Sequence, residues 1–412
     1  MKHPQFLSIL AAFLLLFLLI VPAAADTGIR ENVLSDAGAA DPLPGASDVV
    51  GDSVPAVPDG YSADAVSPVF SWSGSGTDSD PYLITSAADL ALLAVNVNAG
   101  NAYAGEYFLV TQDIDLKGME WTPIGNSGTK FSGIFDGGGF VIEDLYIDSP
   151  GDYQGLFGYT LNADFQNIRL TDVNITGSFH VGGLVGYNSA EGSGGSSITN
   201  CSAAGNVTGS HSGGLVGYNS GSSITNCSAA VTVTGTSFVG GLVGHNSGSS
   251  SITNCSAAGT VTGSFDVGGL VGHNDASGGG SSSIISCSAT GDVAGGTSGG
   301  LVGSSSVWGG SSSITSCSAT GDVAGYTSGG LVGSSSVNGG SSFITNCYAA
   351  GTVTGSSSGG LVGSSSAWGG SSFITNCYAS GTVTGSSSGG LVGSAARSAG
   401  SSLVIRDCAV LT

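Results

Sequence analysis

The chain has 412 residues, of which 73 are Gly, and only 8% are Asp, Glu, Lys or Arg. Its 28 acids against 7 bases give a formal charge of −21, and no Lys or Arg falls between Arg169 and Arg397. A nucleic-acid groove or an anionic-membrane patch needs clustered cations, so both are excluded. With 40% hydrophobic residues the chain is also too apolar for a charged disordered protein.

In chain order, Lys2 and His3 precede an apolar run, Phe6–Val21, that ends in Pro22-Ala23-Ala24-Ala25. The pattern reads residues 1–25 as a secretory signal, too short to span a bilayer, with no membrane insertion after its cleavage. Residues 26–70 form an acidic Ala/Pro/Gly-rich spacer. Twenty of the 28 acids lie between Asp26 and Asp152, so the front is acidic and the back nearly uncharged.

Residues 71–152 are expected to form an amino-terminal cap and the first coils. Ser86-Ala87-Ala88-Asp89 resembles a capping box and opens a short helix, with Leu90, Leu93, Ala94 and Val97 on one face and a stop at Asn98-Ala99-Gly100. Strands are predicted at Tyr107–Val110, Phe131–Phe135 and Val141–Ile147.

Residues 153–412 repeat. Gly155–Gly158 reads GLFG, and GLVG follows at Gly183, Gly214, Gly241, Gly269, Gly300, Gly330, Gly360 and Gly390. The central leucines are 27 to 31 residues apart, which marks a stacked array. Each unit holds three short β-like pieces separated by Gly or Ser, none long enough for a helix. The fold class is therefore all-β: a parallel β-helix, or β-solenoid, of about nine ~30-residue coils behind the helix-bearing cap.

The phrase I/F-x-N-C recurs, with Ser286, Ser316 or Asp407 replacing Asn in three copies. A left-handed bend at that position would turn both Ile198 and Cys201 inward. Cys201, Cys227, Cys255, Cys287, Cys317, Cys347, Cys377 and Cys408 then form a structural column, one per coil. Buried thiols, pairwise ladder disulfides and intermolecular bonds or metal are the alternatives. No clustered Cys/His spacing suggests zinc, and no cofactor is expected.

Sequons occur at Asn174, Asn200, Asn206, Asn226 and Asn254. Three coincide with bends expected to be buried, which leaves Asn174 and Asn206 as glycosylation candidates. His245 and His273 follow GLVG where Tyr159, Tyr187 and Tyr218 stand in earlier coils, reading as a stacked column; His180 and His211 form a second pair. Asp292 and Asp322 share a place in adjacent coils without an accompanying cation and read as solvated turn residues. No catalytic residue or metal ligand is assigned, and the chain is read as a non-enzyme. The alternative is a carbohydrate-active β-helix enzyme, a polysaccharide lyase or hydrolase.

Two features suggest contact surfaces. Leu and Val are adjacent in GLVG, so either Val302, Val332, Val362 and their equivalents face outward as an apolar stripe, or the glycines bend both side chains inward. Trp308 and Trp368, with Asn338 between, tip the same loop in alternate coils.

The ~30-residue Gly-Leu-Val-Gly period resembles the GLUG-motif family of exported bacterial and archaeal surface proteins. Ser73-Gly74-Ser75-Gly76-Thr77, Asp80-Pro81-Tyr82-Leu83-Ile84, Trp121-Thr122-Pro123-Ile124-Gly125 and Phe131–Gly137 look like the start of that family's fold. The resemblance implies a cell-surface structural or adhesive protein, self-assembling or bound to surface proteins or glycans. Similar repeats occur in immunoglobulin-cleaving metallopeptidases, but their H-E-x-x-H zinc signature is missing from this sequence.

Overall fold

The structure, a computed structural model, describes residues 72–192 and 195–411. The expected signal 1–25 and spacer 26–70 lie outside the described residues.

Short β-branched segments interrupted by Gly and Ser wind into coils, and each coil bonds in parallel to the next. One face is a twelve-stranded sheet running from Tyr82–Ile84 to Ser402–Arg406, hence about eleven turns. A second is nine-stranded, from Phe157–Leu161 to Val392–Arg397, and a third sheet completes each turn. Register is set by identity: Ile198, Ile224, Ile252, Ile284, Ile314, Ile344 and Ile374 pair in sequence. Parallel sheets normally need cover on both faces. Here alternation turns Ile, Ala and Val inward and small Ser, Thr and Asn outward, and the coil covers its own interior.

Two corners explain why strict alternation fails without exposing apolar groups. At the first, Asn167, Asn200, Asn226, Asn254, Ser286, Ser316, Asn346, Asn376 and Asp407 all adopt left-handed backbone with φ between 53° and 56°. Ile198 and Cys201 consequently both point inward, at 0% and 1% exposure. The second corner is GLVG itself. From Leu215 to Leu391 each of these Leu carbonyls accepts two N–H groups from the preceding coil: Leu215 O takes Leu184 N at 2.9 Å and Val185 N at 3.1 Å. That bend turns Leu and Val inward together.

The glycines before this corner do not serve a positive φ. A Cβ on Gly241 would lie 2.1 Å from the Gly269 carbonyl oxygen of the next coil. Backbone crowding between coils, rather than left-handed conformation, requires glycine there.

Residues of the expected cap do not form a separate layer. Tyr82–Ile84, Tyr107–Val110 and Ile134–Asp136 are the first three strands of the twelve-stranded sheet. Helix α1 (Ala87–Asn98) replaces, in the first coil, the stretch that later coils fold into the other sheets. Ser86 Oγ accepts the Asp89 N–H at 3.2 Å, but the Asp89 carboxylate binds Thr85 N and Ser86 Oγ, not the Ser86 backbone of a full capping box. Leu90, Leu93 and Val97 join the core completely buried. Two predicted strands are revised. Val141–Ile147 breaks at Asp144, whose φ is 58°, into Val141–Glu143 and Tyr146–Asp148, and Phe131 makes an isolated parallel bridge to Thr160 ahead of the strand Ile134–Asp136. Phe131 instead packs in an aromatic interior with Phe108, Phe157 and Phe165.

Candidate functional site

The interior carries two polar or reactive columns. Seven of the eight cysteines are buried and Cys408 is half-buried, all as free thiols. Their sulfurs are tied into the backbone: Cys227 Sγ accepts the Cys201 N–H at 3.4 Å and donates to the Thr225 carbonyl at 3.3 Å. The bond to Cys201, together with burial, pushes the Cys227 thiol up to about 12. Seven sulfurs are closed off from solvent and bonded to backbone groups, so the column acts as filler rather than as a set of exposed nucleophiles. All eight are expected to titrate in denaturant without reductant, while in the folded protein only Cys408 reacts quickly. Fewer than eight would indicate bridges.

The second column escaped sequence reading. Asn188, Asn219, Asn246 and Asn274 are fully buried, and each Nδ2 donates to the next Oδ1 at 3.0, 2.9 and 2.8 Å. Thr160 and Ser312 close the two ends at 2.9 and 3.1 Å. The signal was the Asn two residues beyond GLVG in four successive coils. It looked like loop polarity because these positions precede Ser/Gly clusters.

The outward surface corrects two expectations. Val302, Val332 and Val362 are 0% exposed, so no apolar valine stripe exists to make contacts. The shared-carbonyl bend at GLVG is the reason. The corner asparagines Asn200, Asn226 and Asn254 are exposed, not buried, because the left-handed bend swings them out while Cys goes in. Asn174 and Asn206 are exposed too, so all five sequons are accessible.

Asp292 and Asp322 are exposed on the third sheet. Asp292 Oδ1 accepts the Asp322 N–H at 2.9 Å, and Asp322 Oδ1 accepts the Thr352 N–H at 2.6 Å. They edge a shallow groove of about 260 Å³ floored by Ala294 and Ala324, where other coils place Thr. Each carboxylate thus completes the backbone ladder of the next coil. In the first coils Asp113 likewise accepts the Val141 N–H at 2.8 Å.

The His and Tyr residues form one feature rather than two. Tyr159, Tyr187, Tyr218, His245 and His273 are in register on the nine-stranded sheet. Beside them run Tyr153, His180, His211, Phe238 and Asp266, all in left-handed conformation with φ between 39° and 60°. Rings stack within each row, Tyr187 on Tyr218 at 4.5 Å and His211 on Phe238 at 4.6 Å, and the rows interdigitate, His180 meeting Tyr187 at 5.2 Å and Tyr218 at 5.3 Å and Phe238 meeting His245 at 5.0 Å. At the far end His273 Nδ1 meets Asp266 Oδ2 at 2.8 Å. Burial and His211 lower His180 to about 4, and burial with the neighbouring histidines lowers His245 to about 2. Both His245 ring nitrogens lack a partner. His180, His211 and His245 therefore pack as neutral aromatic rings at pH 7.

Acidification is expected to destabilise this face. Unfolded His takes up protons near 6.5, whereas His180 and His245 resist to about 4 and about 2 when folded. Below about pH 6.5 the unfolded state binds more protons, so stability falls as pH falls. Melts at pH 7 and pH 5 check this: Tm drops, and His245→Phe, which keeps the ring, narrows the drop. An identical drop in His245→Phe would contradict the assignment.

Later coils differ. Their strands lengthen from five residues (Val216–Ser220) to seven (Val302–Trp308, Val332–Asn338, Val362–Trp368), and the facing strands from three (Ser223–Thr225) to five (Ser311–Thr315). The added residues form a ridge with its own small core of Ala276, Val307 and Val337. Trp308 and Trp368 sit at its rim, 59% and 51% exposed.

Residues 177–208, 209–234, 235–262 and 263–294 each match the GLUG motif. The chain carries GLUG repeats. The matched repeats stop at 294, whereas the same register continues to Val392. A candidate Gly-rich membrane protein of Evansella cellulosilytica is 38% identical over 128 residues, 28% of this chain and 14% of that protein. Halomucin of Haloquadratum walsbyi is 35% identical over 161 residues, 36% of this chain and 2% of that protein. The chain thus spans a small part of the length of these relatives. Among solved structures, a candidate immunoglobulin A1 protease from Bacteroides ovatus is 22% identical, with a TM-score of 0.48, covering 82% of this chain and 86% of that one.

Proposed function

We propose that this GLUG-repeat solenoid is an exported, non-catalytic element of the cell surface, acting as a stiff support that makes adhesive or structural contacts. The observation that carries the reading is the in-register stack of the twelve- and nine-stranded sheets: coil after coil, backbone groups bond to the neighbouring coil. Most outward positions of the repeats are small, neutral Ser, Thr, Asn and Gly, with aromatic side chains and a few carboxylates among them. Such a stack resists bending through its hydrogen-bond ladders and offers long, repetitive faces to a partner. The polar groups examined for catalysis are already engaged: Asp292 and Asp322 cap the ladder, and the thiols are buried.

The test is made on cells producing the full chain. Antibody against the repeats should label intact cells, and the mature protein should begin near Asp26. Purified protein should release no reducing sugar from acidic polysaccharides. Retention in the cytoplasm, or a release of sugar abolished by Asp292→Ala and Asp322→Ala, would overturn the reading.

A further inference from the structure

Exposed aromatic rings cluster in the later coils, but most have used their faces. Phe343 and Phe373 stack on each other at 5.1 Å with planes 6° apart, and Tyr348 pairs with Tyr378 at 4.5 Å. Trp308 and Trp368 differ. They are more exposed than either phenylalanine, and no aromatic ring among the described residues pairs with them.

Their placement is regular. Trp308 is in register with Asn338, and Asn338 with Trp368, so the two indoles stand two rungs apart with an amide on the rung between. At a strand spacing of ~4.8 Å the indoles are separated by roughly 10 Å along the coil axis. Ser306, Ser336 and Ser366 run beside them, two residues back on the same face of the sheet. The turn beyond the row is open to solvent: a Cβ added at Gly309 or Gly339 would meet nothing within 4 Å. Single charges flank the row at its two ends, Asp275 in register with Ser306 and Arg397 in register with Ala367, and between them the three rungs carry none. A row that is aromatic, amide and hydroxyl in chemistry complements a neutral polyhydroxylated ligand with apolar ring faces rather than an ionic one.

We propose that the row Trp308–Asn338–Trp368 binds a neutral, extended β-1,4-linked glycan lying along the coil axis. Such a chain turns over at each linkage, so equivalent faces of its pyranose rings recur at every second sugar, the interval set by the two indoles. The intervening sugar meets the Asn338 amide, and the serine row offers hydroxyl partners. A helical α-1,4 glucan presents no such repeat. The ridge supports the row because the small core beneath it, Val307, Val337 and Ala367, holds successive tips in register. The inference rests on the reading of the solenoid as a surface contact element and names the partner for one of its faces.

The probe is isothermal titration calorimetry of the mature protein with cellohexaose, chitohexaose and maltohexaose. At least one of the two β-1,4 hexamers is expected to bind, with its disaccharide at least tenfold weaker and maltohexaose silent. Trp308→Ala and Trp368→Ala should each weaken binding about tenfold, and the double variant should abolish it. Because both side chains are exposed, the circular dichroism and melting of all three variants should match the parent. Binding that survives the double variant, maltohexaose binding as well as the β-1,4 hexamers, or no binding of either β-1,4 hexamer would each overturn the proposal. Surface labelling of intact cells is read separately, so a failed titration with labelling intact removes only the glycan and not the surface role.

Discussion

Gly241→Ala should destabilise the solenoid by about 3 kcal/mol or more, at the upper end of what overpacking one methyl normally costs. The added carbon would sit 2.1 Å from the Gly269 carbonyl oxygen and 2.9 Å from the Ala257 Cβ. Neither obstacle is a flexible side-chain end. The backbone of one coil would have to part from the next, and there the Leu242 and Val243 N–H groups bond the Leu270 carbonyl at 2.9 and 3.0 Å. Equivalent glycines are as crowded, with Gly269, Gly300, Gly330 and Gly360 at 2.1 or 2.2 Å from the neighbouring coil, so the effect should recur at each. Thermal and denaturant unfolding followed by circular dichroism measures it. A Gly241→Ala protein that melts with the parent would show that adjacent coils are not packed backbone to backbone.

Asn246→Ala should lower stability by about 3 kcal/mol for a different reason. The Asn246 side chain is 0% exposed; it accepts from Asn219 at 2.9 Å and donates to Asn274 at 2.8 Å. Removing it leaves a cavity and strips one partner from each neighbour, and a buried polar group short of a partner costs about 1–3 kcal/mol. Asn219 retains the Ser222 carbonyl and Asn274 retains Ser282 Oγ, which keeps the loss below that of a fully stranded pair. Asn246→Leu restores volume without hydrogen bonds and should recover only part of the loss. Stacked coils couple mainly to their neighbours, so hydrogen exchange should show the damage centred on residues 216–277 and protection retained near 340–370. Full recovery in Asn246→Leu would mean that the amide ladder contributes little.

Much of the fold was legible in the sequence because the same side chains return at each turn. The GLVG period set the coil, and the Asn or Ser before each Cys set the left-handed corner, since few other residues tolerate that backbone. Composition also placed the charge: the acidic front and the neutral repeats are different in kind. Two errors have different causes. At GLVG, alternation along a straight strand left open an outward Val302, Val332 and Val362, whereas the bend buries them. At the Asn corner the left-handed bend was expected, but its asparagine was read as buried, which hid exposed sequons.

The first coils were less legible because their repeat is degenerate. Phe and Trp fill the interior there, and α1 interrupts the period, so residues 71–152 gave no GLVG phrase by which to count the coils beside the expected cap. The buried asparagine ladder was missed because a polar residue reads as outward unless its partner one coil away is known. The aromatic face had a sequence signal in the Tyr and His after GLVG. Its second row, Tyr153 to Asp266, interdigitates only because left-handed bends place it beside the first.

The most direct test of the coil as the repeating unit is to excise one. Residues 311–340 and 371–400 match the coil between them at 20 and 24 of 30 positions, and the corresponding side chains already stack in register: Ile314 on Ile344, Ile344 on Ile374. Deleting residues 341–370 should let the flanking coils pair directly, giving a protein with the parent's β-sheet spectrum and a cooperative melt. Deleting only 341–355 should misregister every later coil and abolish that melt. A full-coil deletion that unfolds as badly as the half-coil deletion would contradict the account.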